Sequence, residues 1–565
     1  MTRYARHVNK RETPQTEQAS PKQVKNNQGG YSFQVDHWGR LNRFLVLGSE
    51  GGSYYASEKK LTQDNAKALE KCLQEDGLRT VIQIAKVSSE GRAPKNDPAI
   101  FALAMAAGSS SQEVRKAALD AIPVVCRTGT HLFAFLESVK NFRGWGRALR
   151  EAVCKWYLYR KPDNLAYQVV KYQQRNGWSH RDALRLVGGA LKDLEVSEEQ
   201  QAVFRWIVAG PQWDERTVDR NGKQVTYPAI DPERVPTIIE GYERIKKAEH
   251  VSQVLNCIEH YGLTHEMVPN QWKSDSDVWG VLLERMPITA TLRNLGKLSA
   301  VGTLSPLSRA SSTVIARLLN MDNLRKGRVH PLSILVALNT YKQGHGVRGK
   351  LTWDPVSAVL DALDEAFYLA FGTIEPTGKS RLIALDVSGS MTWNAIAGMP
   401  GVTPRVGSAA MAMTTVRTEA NYHVVAFSHG RRTGAYPRRS EVHKGIYTVP
   451  ISKRQRLDDV CHTVAGLWAG GTDCALPMLW AAENKIDVDA IEIYTDSETK
   501  HGSIHPHQAL ERYRQKMGRD CKVVVVGMES NGFSIADPDD AGMLDVVGFD
   551  TAAPTLMFSF IKGDF

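Results

Sequence analysis

The stretch Leu382-Ile-Ala-Leu-Asp386-Val-Ser388-Gly-Ser390 decides how the last third of this 565-residue chain folds. Its unbroken apolar run is too short for a helix and shows no polar alternation, the pattern of a strand buried on both faces. Comparable β-rich runs return at 423–427, 491–494 and 523–526, with helical stretches between them. Strands that alternate with helices make a parallel sheet covered on both sides, so 374–565 is predicted to be a doubly wound, Rossmann-like α/β domain. Such sheets bind ligands just beyond the carboxyl ends of their strands. Asp386, Ser388 and Ser390 stand at such an end.

Two more elements point to the same place. The run at 491–494 leads into Thr495-Asp496, and the glycine-rich loop Ala469-Gly-Gly-Thr472 supplies a hydroxyl between the two strands. Asp386, Ser388, Ser390, Thr472 and Asp496 thus form a candidate metal site of two carboxylates and three hydroxyls. An all-oxygen set suits a hard divalent cation, Mg²⁺ above all, and disfavours zinc and iron. An Asp-x-Ser-x-Ser run alone is a weak signal, because Ser and Asp also build turns; three elements in order at strand ends make a strong one. An aspartate after a first strand could instead be a phosphatase nucleophile, but that chemistry wants a second carboxylate two residues on, where Ser388 stands. No catalytic residue is assigned. His501, His505 and His507 lie in a loop-like stretch with Gly502 and Pro506 and read as solvent-exposed.

Ahead of residue 374 the pattern changes. From about Phe33 to Gly372, apolar residues recur at helical spacing, as in Leu132, Phe135, Leu136 and Val139, with no alternating strand among them. On the order of a dozen helices, punctuated by Gly, Pro and Asn, imply an array of the solenoid kind. The polar, aperiodic residues 1–28 read as a flexible basic tail, 29–373 as the helical module, and 374–378 as the linker that follows. Chain length alone calls for more than one core.

The net charge of +10 is one-sided: from Lys379 onward 20 Lys and Arg face 21 Asp and Glu, leaving 51 against 40 before it. Such an excess fits a polyanionic partner, and also a solvated basic surface. Lys171 and Arg175 are four apart and so are assigned to one helix face. His180, Arg181 and Arg185 follow a capping box of Ser179 and Asp182, where a helix N-terminus attracts phosphate. Arg143, Arg147 and Arg150 lie one helix earlier, and His345, Arg348 and Lys350 form a basic, glycine-rich loop. Each cluster alone suits a solvated face as well as an RNA contact; their accumulation favours RNA. Gly48-Ser-Glu-Gly-Gly-Ser53 lacks the ending of a phosphate-binding loop and reads as a turn.

No stretch is long and apolar enough to span a membrane, residues 1–28 lack the core of a secretory leader, and a cytoplasmic protein is expected. The seven cysteines are scattered through apolar segments and never spaced as CxxC, so they read as reduced core residues.

Six stretches carry a family resemblance: Arg40-Leu-Asn-Arg-Phe-Leu-Val-Leu-Gly-Ser-Glu-Gly-Gly-Ser-Tyr-Tyr55, Thr130-His-Leu-Phe133, Trp145-Gly-Arg-Ala-Leu-Arg150, Arg175-Asn-Gly-Trp-Ser-His180, Leu292-Arg-Asn-Leu-Gly-Lys297 and Tyr341-Lys-Gln-Gly-His-Gly-Val-Arg-Gly349. With the metal motif behind them, the chain resembles the Ro ribonucleoprotein autoantigen, or TROVE, family in its bacterial form. The resemblance implies a closed, monomeric ring of HEAT-like helical repeats joined to a von Willebrand A domain with a metal-ion-dependent adhesion site. It implies that single-stranded 3′ ends of misfolded or maturing RNA enter the hole and that noncoding Y-like RNA binds the outer rim. Lys171 and Arg175 match the family's Y RNA contacts, whereas Val187-Gly188 follow Arg185-Leu186 where the family form has a histidine. The implied role is a non-enzymatic scaffold in RNA quality control, partnered in bacteria by the exoribonuclease polynucleotide phosphorylase. Two rivals stand beside it, a metal-dependent protein-interaction module without RNA and a Mg²⁺-dependent nuclease. No general base is positioned for the second.

Overall fold

The computed structural model describes residues 12–50, 57–188, 195–211, 216–220, 223–227, 229–346, 350–371, 375–393, 395–396, 399, 401–429, 442–443, 445–549 and 552–564. A seven-stranded sheet organises the C-terminal domain in the order Met543–Val547, Lys522–Gly527, Ala490–Thr495, Arg381–Asp386, Tyr422–Phe427, Ile446–Thr448 and Val442–His443. The first five strands are parallel, and Ile446–Thr448 pairs antiparallel with both its neighbours, Tyr422–Phe427 and Val442–His443. The predicted strand at 381–385 lies in the middle, between Ala490–Thr495 and Tyr422–Phe427.

Burial on both faces explains why these strands read as continuous apolar runs. Ile383 and Leu385 pack with the helices Pro404–Thr418 and Leu457–Ala465, while Leu382 and Ala384 pack with Leu476–Glu483 and Pro506–Met517. The first of these cores runs without a break into the helical module, from Leu41 to Phe371. Sheet and helices therefore share one hydrophobic interior on that face.

The module is an array of helices from His37–Leu47 to Ser357–Leu369. Leu132, Phe135, Leu136 and Val139 are fully buried, as their helical spacing predicts. The expectation of no alternating strand from about Phe33 to Gly372 is corrected by the end of the strand Tyr31–Gln34 and by two short hairpins, Gln174–Arg175 with Trp178–Ser179 and Arg216–Arg220 with Lys223–Tyr227. In the first, Asn176 and Gly177 take positive φ at the turn, at 51° and 76°. Asn-Gly is the residue pair that such two-residue hairpin turns select, and here it turns a hairpin rather than stopping a helix.

The flexible tail expected over 1–28 is corrected in its described part. From residue 12 the chain is docked on the C-terminal domain: Gln23–Lys25 pairs with Tyr31–Gln34, which pairs in turn with Phe533–Ser534. Its polar side chains find hydrogen-bond partners in the loops at the sheet's carboxyl edge, a source of order that leaves no apolar period in the sequence. Asp36 then caps the helix His37–Leu47, accepting from Gly39 N at 2.7 Å. All seven cysteines are buried and free. Among the described residues no helix is long and apolar enough to cross a membrane.

Candidate metal centre and nucleic-acid interface

Asp386 ends the central strand, and its two oxygens are taken in different ways. Oδ1 accepts from Ser388 N at 2.9 Å, which turns the chain, and Oδ2 accepts from Thr495 Oγ1 at 2.6 Å. Ser388 Oγ and Ser390 Oγ lie 3.2 Å apart, and the Ser390 hydroxyl acts to lower the pKa of the Asp496 carboxyl. The glycine loop reaches the same spot, with Gly389 N donating to Gly470 O at 3.0 Å. Glycine is required at 470 because a Cβ there would lie 2.1 Å from His429 O, and at 471 because one would lie 2.4 Å from the His501 ring. All five predicted side chains are buried here.

Burial and like charge dominate the electrostatics of this cluster. Burial, and then the charge of Asp496, push the Asp386 carboxyl up to about 7, and burial raises Asp496 as well. Asp496 Oδ1 accepts from Glu498 N at 3.0 Å, yet Asp496 Oδ2 and Thr472 Oγ1 are buried with no hydrogen-bond partner among the described residues. Two crowded carboxylates and orphaned oxygens fit a hard dication, which would neutralise the first and satisfy the second. Sequence reasoning missed the frame behind the ligands. Arg405, on the helix Pro404–Thr418, donates to the carbonyls of Val387, Ala465 and Leu467 and so ties together the backbone behind the first and third motif elements. Buried Arg43 bonds Asn531 Oδ1 at 2.9 Å, and Asn531 Nδ2 donates to Asp496 O at 2.6 Å, linking the helical module to the same loop.

The exposed reading of the three histidines holds for His501 alone. His505 bonds Gln23 Nε2 at 3.1 Å and Glu17 O at 2.8 Å, and His507 packs edge-on against Phe33, because the docked N-terminal segment covers both.

The basic candidates divide. Arg175, Arg181, Arg185, Arg147 and Arg150 are exposed. The capping box is present, with Asp182 N donating to Ser179 Oγ at 3.2 Å and Ser179 N to Asp182 Oδ2 at 3.1 Å. His180 is corrected: it is buried, its Nδ1 lies 2.9 Å from Tyr157 Oη, and burial pushes its pKa down to about 3, so it is neutral at pH 7 and faces the core. The single helix face for Lys171 and Arg175 is corrected too. The helix Pro162–Lys171 ends at the lysine, whose Nζ lies 3.0 Å from Tyr167 Oη and 3.5 Å from Glu266, while Arg175 sits in the hairpin beyond. Arg143 precedes the helix Arg147–Leu158 and donates to Ala107 O at 2.9 Å. His345 is exposed beside Gly346, and Arg348 lies outside the described residues.

A second basic feature escaped the sequence reading. Where the array's early helices meet its late ones, with Arg328 against Gly91, a cavity of about 400 Å³ is lined by Arg127, Arg293, Arg328, His131 and His330 among others, and among the described residues by no acidic one. Burial holds both histidines down to about 4, so the arginines alone carry its charge at pH 7. These five residues come from three segments spread over some 200 positions, and no local motif joins them.

Comparison with known proteins decides the family. The TROVE domain model matches residues 24–340 and the Ro60 vWA domain model residues 381–561. The chain is 40% identical over 566 residues, 100% of each chain, to the RNA-binding protein RO60 of Deinococcus radiodurans. This chain belongs to the Ro60 family. A second Ro60 relative, the RNA-binding protein RO60 of Caenorhabditis elegans, is 34% identical over 98% of this chain and 92% of its own. The crystal structure of the Deinococcus radiodurans RO (RSR) protein superposes with a TM-score of 0.66, covering 93% of this chain and 99% of that one. The Ro60 vWA match covers the candidate metal centre, and the TROVE match covers the exposed arginines and the basic cavity.

Proposed function

We propose that this Ro60-family chain is a monomeric, cytoplasmic RNA-binding ring that scaffolds RNA quality control rather than cutting RNA itself. The exposed arginines on the hairpin and along the helix His180–Val187 carry the reading, since clustered guanidinium groups at a surface take phosphate oxygens. Arg175, Arg181 and Arg185, with Arg147 and Arg150 nearby in sequence, take the backbone of a small structured noncoding RNA of the Y type. The arginine-lined cavity takes the single-stranded 3′ end of a misfolded or maturing RNA. Its size is that of a ligand site, and its three cations without a counter-charge suit a nucleotide backbone. Seven free, buried cysteines fit the reducing cytoplasm.

In the C-terminal domain Asp386, Ser388, Ser390, Thr472 and Asp496 would hold Mg²⁺, which would supply a Lewis-acid contact for a carboxylate of a protein partner. An exoribonuclease of the polynucleotide phosphorylase kind is the partner this scaffold would serve. The nearby acids Glu498 and Asp473 are tied by Asn27 and Gln15, an arrangement that favours docking over hydrolysis.

Fluorescence anisotropy with two RNAs, a structured hairpin RNA and a single strand with a free 3′ end, tests the reading. Arg175→Glu, Arg181→Glu and Arg185→Glu together are expected to weaken the structured RNA by about 10- to 100-fold and to flatten the log–log salt slope by about 3. Arg293→Gln with Arg328→Gln is expected to weaken the single strand about tenfold and to spare the hairpin. A protein with no affinity for either RNA would leave the protein-interaction module as the better reading.

A further inference from the structure

The loops that carry Thr472 and Asp496 are clamped by a residue more than 450 positions away in sequence. Gln15 is fully buried, and every polar atom it has is used. Its Nε2 donates to Asp473 Oδ1 at 2.7 Å and to Ile504 O at 2.9 Å, while its Oε1 accepts from Thr499 Oγ1 at 2.6 Å and Gly502 N at 3.0 Å. Its backbone N–H donates to Gly502 O at 3.0 Å, and its carbonyl accepts from Tyr31 N at 2.9 Å. Asp473 follows Thr472, and Thr499 to Ile504 follow Asp496. One side chain therefore fixes the distance between two of the metal-site loops.

The rest of the N-terminal strap, residues 12–34, holds the Asp496 loop residue by residue. Ser32 Oγ donates to Ser497 O at 2.8 Å, Asn26 Nδ2 to Thr499 O at 2.7 Å, and Asn27 gives both N and Nδ2 to the Glu498 carboxylate at 2.8 and 2.7 Å. This loop needs holding. Ser497 sits at φ 63°, a left-handed conformation that a serine keeps only when its surroundings over-determine it.

We propose that the N-terminal strap is a component of the metal centre, with Gln15 as the positioning residue that sets Thr472 against Asp496. It touches no cation, yet the site's selectivity depends on it. Mg²⁺ demands near-octahedral geometry, whereas Ca²⁺ accepts irregular, looser shells. Loosening the clamp therefore costs Mg²⁺ more than Ca²⁺, a difference that simple destabilisation of the domain does not produce. The proposal rests on the reading of the five oxygen ligands as a cation site.

Calorimetric titration of the full chain with MgCl₂ and with CaCl₂ separates the two. Gln15→Ala is expected to lower Mg²⁺ affinity about tenfold, the scale of a lost outer-shell partner, and Ca²⁺ affinity by clearly less. Asn27→Ala, at an exposed position that removes one bond to Glu498, keeps the test open should the glutamine variant fold poorly, and is expected to show the same preference more weakly. Wild-type protein that binds neither cation overturns the metal reading and the proposal with it. Wild-type binding with unchanged Mg²⁺ affinity in both variants, or with equal losses of both cations, overturns the strap proposal alone.

Discussion

Asp386→Ala should abolish Mg²⁺ binding, a loss of more than about 100-fold, because even an outer-shell partner is worth 10- to 100-fold and this is a first ligand. The same substitution should leave RNA affinity near wild type, since the arginines that would meet RNA lie in the helical module. The pH dependence has a fixed sign. Burial and Asp496 hold Asp386 at about 7 against its ordinary 3.8, so the metal-free fold keeps a proton that the unfolded chain has released between those values. Stability of the metal-free protein therefore falls as pH rises from about 4 to 7. Mg²⁺ reverses this, because it binds the deprotonated pair, and its affinity should fall as pH drops through the range in which the raised carboxyls regain a proton. Thermal unfolding with and without MgCl₂ at pH 6 and pH 8 checks both. Wild type should gain more from Mg²⁺ at pH 8, and Asp386→Ala should gain nothing at either pH while unfolding no earlier than metal-free wild type. A Mg²⁺-induced shift preserved in the variant would remove Asp386 from the site.

The five oxygen side chains were legible in sequence because strand periodicity gives an absolute address. A buried parallel strand followed by a polar cluster places that cluster at the sheet's carboxyl edge, and two strands and a glycine loop so placed must converge. The strap was illegible for the opposite reason. Gln15, Asn26 and Asn27 order their segment through side-chain hydrogen bonds to loops hundreds of residues away, and a polar segment carries the same composition whether docked or free. His180 shows the limit at the scale of one turn. The capping box at Ser179 was readable and real, but the first residue of a helix can point to either side of it, and Tyr157, Trp156 and Phe133 take the imidazole inward. Asn176-Gly177 turns a hairpin, which takes Arg175 off the helix that its spacing from Lys171 suggests. The arginine cavity exists only once the array closes, so no window of sequence contains it.

Arg381→Met should cost the fold about 3–5 kcal/mol, the scale for stripping the counter-charge from buried ions. Arg381 opens the central strand with no solvent exposure, and it pairs with Glu419 at 2.8 Å and Glu492 at 2.7 Å, both equally buried. Its guanidinium also stacks 3.8 Å over the Phe558 ring of the C-terminal helix. Each glutamate is tied further: Glu419 accepts from Thr377 N and Oγ1 at 2.8 Å, and Glu492 from Thr415 Oγ1 at 3.0 Å and Tyr494 Oη at 3.1 Å. Thr377 belongs to the predicted linker between helical module and sheet, so this cluster is where the linker is anchored. Methionine fills most of the space but leaves two carboxylates without a cation in a dry interior. The cost should therefore be electrostatic, and Arg381→Met combined with Glu419→Gln and Glu492→Gln should regain most of it, a non-additivity that marks one network. Denaturant melts of wild type, Arg381→Met, Glu419→Gln with Glu492→Gln, and the triple variant, followed by tryptophan fluorescence, read the difference. A loss below about 1 kcal/mol in Arg381→Met, the range of exposed ion pairs, would show that water reaches the cluster and that the linker is held by other contacts.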